Sequence, residues 1–294
     1  MRVHVGLRLL PALAAAAASA LSSSGCGSSS AVLDPVAQAA DATSLVGGAH
    51  IALAMQVSAG ALPAPLTISG EGFFNYKTHE GTLSMDMTGV PSTSGTNLPS
   101  GSLHMEELFK SSAVYVGSPL FAGKLPGGAQ WMKIDIAKVG QAAGFDVQQL
   151  AGGQSNPAQF LEYLKASGGT VTPVGHELVR GVATTHYKGA IDLNKVADVL
   201  PSANRDQLRG ALAKLIAQTG SATIPVDVWV DSHRLVRRIA MAFAIASGAQ
   251  QAQTRMTIEL FKFGSTPPVT PPPQAEVYDA TQAALGGLSS VGGG

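Results

Sequence analysis

Cys26 is the only cysteine of the chain. It therefore has no disulfide partner within the chain, and the chemistry open to it is that of a lone thiol. The other residue types that do chemistry are scattered. No G-x-S-x-G places a serine on a nucleophile elbow. His79-Glu80 and His176-Glu177 start like a zinc-protease helix, but neither has a second His four residues on. There is no P-loop and no G-x-G-x-x-G. His50, His104, His176 and His186 fall in separate extended segments, so a metal site would have to be assembled from distant strands. Glu106 and Glu107 are neighbours in such a segment and point to opposite faces, which spoils shared acid–base work. Arg237 and Arg238 divide in the same way, one of them rimming an opening or meeting solvent. His186-Tyr187 and Trp229 read as strand packing, and Asp231 as the opener of a turn at Ser232-His233. The chain reads as a non-enzyme with no cofactor and no metal.

The residues before Cys26 point to export. Arg2 and Arg8 give a positive start, and Leu9 to Leu21 is an uncharged apolar run containing Pro11. A spanning helix needs ~20 apolar residues, so this run is too short to cross a bilayer permanently. It fits the ~7–15-residue apolar region of a signal peptide, expected over residues 1–25. No later segment holds the ~18 consecutive apolar residues of a spanning helix. Ser23-Ser24-Gly25-Cys26, followed by Gly27 and three serines, resembles the lipobox of bacterial lipoproteins. There, small residues precede a cysteine that becomes the lipidated mature N-terminus. Ser23 departs from the apolar residue usual at its position. The resemblance implies a diacylglyceryl group on Cys26 and a seat on the outer face of the cell membrane. Two or more acyl chains hold a protein there at ~0.8 kcal/mol per buried CH₂. The alternative is cleavage after Ala18-Ser19-Ala20, which would release a secreted protein.

Composition narrows the partners. Apolar residues make up 45% and charged residues 13% of the chain, enough to bury a large core. Lys plus Arg equals Asp plus Glu at 19 each. Two of the basic residues lie in the leader, so the rest is slightly acidic. That argues against nucleic acid, which needs a basic patch. No polybasic run is present for acidic lipid heads.

Hydrophobic periodicity then supplies the elements. Residues 26–34 form a lipidated cysteine and a flexible Gly/Ser tether. Asp34-Pro35 opens a short helix over 35–46. Period-two alternation marks strands at Ile51–Val57, Leu66–Tyr76, Leu83–Met87, from Leu103, at Ala113–Val116 and at Gln130–Ile136. Asn156-Pro157 begins a helix carrying Phe160, Leu161 and Leu164 on one face, which Gly168-Gly169 ends. Thr170–Val179 and Val182–Leu193 form a hairpin joined at Arg180-Gly181. Asp192–Leu200 and Ala203–Gln218 are helical, and strands at 223–231, 235–246 and 255–263 follow. The expected fold is α+β: one domain over 35–264, a large curved antiparallel sheet of about 11 strands with helices packed on one face. The Pro/Gly-rich residues 265–294 are expected to form a disordered tail outside the core.

Two stretches carry a further resemblance. Arg180-Gly181-Val182-Ala183-Thr184-Thr185-His186-Tyr187 runs on to Asp192-Leu193. Ile224-Pro225-Val226-Asp227-Val228-Trp229-Val230-Asp231 runs on to Leu235-Val236-Arg237-Arg238. In order and spacing they resemble the LppX–LprG group of actinobacterial envelope lipoproteins, which share a LolA-like fold. The resemblance covers roughly residues 35–264, in pattern more than in residue identity over the N-terminal half. It implies a half-open β-barrel capped by helices, with an apolar cavity for an acyl lipid or glycolipid carried across the cell envelope. It implies no enzyme activity, and an envelope transporter is a candidate partner. The alternative is a non-enzymatic adaptor or chaperone lipoprotein holding a protein partner.

The residues themselves leave two options evenly open, such a cavity or a core in which Met and Ala simply pack against the helices; the resemblance tips the choice to the cavity. Met55, Met85, Met87, Met105, Met241 and Met256 sit in the apolar register of strands, and Met suits a wall that adapts to variable chains. Ile239, Met241, Phe243 and Ile245 share a face, while Ala240, Ala242, Ala244 and Ala246 form a small-residue strip opposite that would leave room. The expected lining is Met55, Phe74, Met85, Met87, Met105, Leu161, Leu164, Leu212, Leu215, Ile216, Val226, Val228, Ile239, Met241 and Phe243.

Overall fold

In the computed structural model, the residues described are 35–60, 62, 64–89, 102–142, 171–196, 209–210, 212–213, 216–217, 219–247 and 250–291. Alternating sequences become strands throughout. They are β1 (Gly48–Ala59), β2 (Leu66–Asn75), β3 (Glu80–Thr88), β4 (Ser102–Lys110), β5 (Ala113–Gly117) and β6 (Trp131–Asp135) in the first half. The second half holds β7 (Thr172–Val179), β8 (Val182–Asp192), β9 (Thr223–Asp231), β10 (Val236–Ser247), β11 (Gln250–Phe261) and β12 (Val277–Asp279). The described helices are α1 (Pro35–Leu45), α2 (Ile136–Ala142), α3 (Leu193–Val196) and α4 (Thr281–Val291).

All the strands join one 12-stranded sheet in the order β12-β6-β5-β4-β3-β2-β1-β11-β10-β9-β8-β7. Every pairing is antiparallel except β12 with β6. The chain winds outward from the centre through β1 to β6, then returns from the far edge through β7 to β11. Within each wing, strands that follow one another in the chain pair side by side as an antiparallel meander. The β7–β8 turn is a two-residue loop with both Arg180 (φ 49°) and Gly181 (φ 79°) left-handed, the geometry that matches strand twist in a tight hairpin. The sheet ends at β12 and β7 and is open among the described residues.

The core lies on one face only. Val36, Ala39 and Ala40 of α1 meet Val226, Val228, Val236, Ile239 and Leu260, all 2% exposed or less. Val236 and Ile239 share this face although three residues apart, because a bulge between Val236 and Arg238 resets the alternation. Thr43 fastens the helix to the sheet. Its hydroxyl donates to the Ala39 carbonyl (2.6 Å) and accepts the Val236 N–H (2.9 Å), so neither buried group is orphaned.

The tail corrects the expectation of a disordered extension. Residues 265–291 return across the five strands that separate β11 from β6 and dock on the opposite edge. Seven strand spacings separate β11 from β12 and amount to ~33 Å, and the extended Pro-rich run of residues 262–273, before the helical turn at Gln274–Glu276, can reach ~37 Å. Proline lacks an N–H, so such a strut leaves few donors unsatisfied where it has no ladder. Gly264 N–H bonds the Gly48 carbonyl (2.9 Å), Asn75 donates to Thr266 (3.1 Å), and Val269 is 5% exposed. Beyond the prolines, Val277–Asp279 pairs with Trp131–Lys133, and Asp279 caps α4 by accepting the Thr281 N–H (3.0 Å). The Thr281 hydroxyl first, then that N–H bond and Lys133, hold the Asp279 carboxyl down at about 2. The sheet gains its twelfth strand from this tail. The other difference is α2, which begins at Ile136 where the alternation was expected to end.

Candidate ligand-binding face

Register places the methionines together. Leu103, Met87, Ile68, Met55, Met256, Met241 and Val226 are successive partners across seven strands. The next row is Met105, Met85, Gly70, Leu53, Ile258, Ile239, Val228 and Tyr187. A third contains Met132, Val116, Glu107, Leu83, Gly72, Ile51 and Leu260. Together they make one apolar face, centred on β1–β4 and β9–β11.

The expected lining divides in two. Phe74, Val226, Val228, Ile239 and Met241 are at most 5% exposed and belong to the packed core. Met55, Met85, Met87, Met105, Leu212, Ile216 and Phe243 are half-buried, and of these Leu212 and Ile216 pack against the core. Cys26, Leu161, Leu164 and Leu215 lie outside the described residues. Ala240 and Ala242 face the other way. The small-residue strip therefore leaves no room beside the methionines.

Glycines at the middle of the face set how closely strands approach. A Cβ on Gly70 would lie 2.8 Å from the Met85 side chain and the Ser84 carbonyl, and one on Gly72 would collide with the Thr82 carbonyl. Bare backbone at these two places lets the β3 side chains of the rows lie over β2.

Glu107 stands out among these neighbours. It lies two residues from Met105 and two from Phe109 on the same face, with Leu83 and Val116 as its cross-strand partners. Burial raises its carboxyl pKa from the ordinary value, and no donor or cation among the described residues offsets this. Its neighbour Glu106 points to the polar face, as adjacent strand residues must.

The polar face carries a knit of charges. His186, Trp229, Arg238, Glu259, Ala52, Glu71, Ser84 and Glu106 form one row across it. His186 stacks on Trp229 (centroids 4.2 Å, 11°) and lies between Asp227 (2.6 Å) and Glu177 (3.0 Å). Trp229 Nε1 donates to Glu177 (2.9 Å), and this bond chiefly holds the Glu177 carboxyl below its usual value. Arg238 and Arg180 both reach Glu259 (2.6 Å each). Arg180 also covers the Phe261 ring at 3.9 Å. Trp229 thus packs on the sheet. Asp231 holds its turn by accepting the His233 and Leu235 N–H groups (2.8 and 2.9 Å) and pairing with Arg237 (2.6 Å). Among the described residues no three of His, Cys, Asp and Glu gather as a metal site.

Clefts of about 550, 340 and 310 Å³ are lined mainly from this polar side. The cleft of about 550 Å³ sits between β4–β6 and the turns at 118–130, with His104, Glu106, Ser118 and Gln130 in its wall. His104 is held above its usual pKa, first by its bond to Asp86 (2.8 Å). No described helix is long and apolar enough to cross a membrane.

Fold and face define an α+β protein built on an open antiparallel sheet, apolar on one side and charged on the other. Among solved structures the chain is similar to LprF from Mycobacterium bovis, at 15% identity over 81% of this chain and 94% of that one, with a TM-score of 0.43. It is likewise similar to the lipoprotein LppX from Mycobacterium tuberculosis, at 16% identity over 83% and 100%, TM-score 0.43. In sequence it is 31% identical over 156 residues to an uncharacterized 31.2 kDa protein in the rplA-rplJ intergenic region of Streptomyces griseus. The match spans 52% of this chain and about half (49%) of that relative's length. No known protein-family model matches.

Proposed function

We propose that the chain is an exported lipoprotein, anchored through Cys26 on the outer face of the cell membrane. It binds an acyl lipid or glycolipid against its apolar face and carries it across the envelope. It does so without catalysis and without a cofactor. The observation that carries this reading is the face itself. Methionines from β1, β3, β4, β10 and β11 fall into adjoining cross-strand rows, and half-buried Met is a surface that adapts to disordered alkyl chains. The lipobox-like residues before Cys26 and the motifs around His186 and Trp229 support the same reading from the sequence.

Native mass spectrometry of the full chain purified from its own membranes tests it. The expected spectrum contains protein with bound acyl lipid, beyond the mass of the lipidated N-terminus. Cys26→Ser should move the chain from membrane to soluble fraction without emptying it. Bare protein in every preparation, together with retention on membranes in the Cys26→Ser variant, would reject both parts.

One observation favours a second reading, an adaptor or chaperone for a protein. The edge strand β7 exposes Val174 (49%) and Leu178 (68%). A stoichiometric protein partner in place of lipid would decide for that reading.

A further inference from the structure

A carboxylate is the wrong group to place against alkyl chains. Moving it out of water costs several kcal/mol unless it is paired. Glu107 has nevertheless been placed by register inside the methionine rows, between Met105 and Phe109 along the strand and Leu83 and Val116 across it. No described cation or donor reaches it; Lys110, three residues on, is committed to Glu80 at 2.7 Å. Resting on the lipid-binding reading above, we propose that Glu107 reads the ligand's headgroup. It accepts hydrogen bonds from the hydroxyls of an uncharged head, such as a glycerol or a sugar, and repels lipids that would bring a phosphate beside it.

The chemistry follows from what a carboxylate can do. It has acceptor sites only, and each bond it accepts is charge-assisted and shorter than a neutral one. A hydroxyl donor satisfies it; an ester or acetyl group offers nothing to it. An anionic phosphate adds like-charge repulsion at low dielectric, where it is strongest. Acyl chains on the methionines supply affinity in common to all these lipids, so Glu107 acts on the difference between them.

The test compares lipids that share dioleoyl chains: dioleoylglycerol with one free hydroxyl, its acetylated form with none, and dioleoylphosphatidic acid. The full chain, stripped of lipid, is offered an equimolar mixture in vesicles, and bound lipid is read by native mass spectrometry. Wild type should hold dioleoylglycerol over the acetylated lipid by about tenfold, the size expected of one hydrogen bond to a charged group. Phosphatidic acid should rank last. Glu107→Leu should erase the preference for the hydroxyl, and Glu107→Gln, which keeps shape and an acceptor, should retain it while admitting phosphatidic acid. If wild type binds all three alike, or if Glu107→Leu and Glu107→Gln both keep the wild-type ranking, Glu107 is not the reader although the face still binds lipid. If none of the three binds while the variants stay folded, the lipid-binding reading falls, and this one with it. Should Glu107→Leu fail to fold, the isosteric Gln variant decides alone: an unchanged exclusion of phosphatidic acid overturns the proposal.

Discussion

Tyr76 is 6% exposed in the aromatic group with Phe74 and Phe109, and its hydroxyl is the buried side-chain polar atom without a partner among the described residues. Burial alone raises its pKa. An unsatisfied buried hydroxyl costs ~1–3 kcal/mol, so Tyr76→Phe should stabilise the fold by about 1 kcal/mol. For a domain of this size that is a rise of ~2–4 °C in Tm, read by thermal denaturation. A fall in Tm would mean that the hydroxyl is bonded after all. Several single residues were legible from sequence in just this way. Asp231 as a turn-opener and Trp229 as sheet packing follow from type and position. Glu107 was legible in principle: period two from Met105 puts it on the methionine face. Alternation alone sets it opposite Glu106, and only the sheet's pairing shows which of the two is buried. The partners of His186 were not legible, because Glu177 and Asp227 come from strands on either side, and only register brings them together.

Strands were legible because their alternation is long and regular; the breaks were not. The bulge at Val236/Arg238 costs one residue of register and leaves no compositional mark. The Ala240–Ala242 strip was visible as a face, but its side was fixed only by pairing with β9 and β11. β12 is three residues long, too short for any periodicity, and depends on β6 for its existence. The glycines of β2 sit between these cases. Gly70 and Gly72 keep the apolar parity of their strand, and their reason is steric. Gly72→Ala would drive a methyl group into the Thr82 carbonyl, which backbone rather than a movable side chain must relieve. The expected result is a loss of ~1–3 kcal/mol, the range of overpacking, seen as a lower denaturation midpoint with an unchanged m-value. Gly60→Ala, where nothing lies within 4 Å of the added carbon, should leave the unfolding free energy within ~0.5 kcal/mol of wild type.

At the scale of the molecule the two wings share one central seam, β1 with β11, and the tail is the second tie between them. It leaves β11 at the centre and ends on β6, at the outer edge of the other wing. Composition hides this role, since the five prolines between Pro267 and Pro273 read as a spacer. What a composition reading cannot see is the docking sequence behind the prolines. Val277–Asp279 takes the free edge of β6, the Thr281 hydroxyl accepts the Asp135 N–H at the start of α2 (2.9 Å), and Ala280 N–H bonds the Lys133 carbonyl (2.9 Å). Cutting the chain after Gly264 would expose the β6 edge, strip these partners from two backbone groups and remove the buried Val269. A buried Val contributes ~1.5–3 kcal/mol, and each hydrogen bond ~1 kcal/mol net. The truncated chain should therefore lose at least ~3 kcal/mol, a drop of about 10 °C in Tm. Hydrogen exchange locates the effect: β5, β6 and α2 should lose protection while β8–β10 and α1 keep theirs. Equal loss in both wings would mean that the tail holds the whole sheet. No loss in β6 would mean that the strand stands without its parallel neighbour.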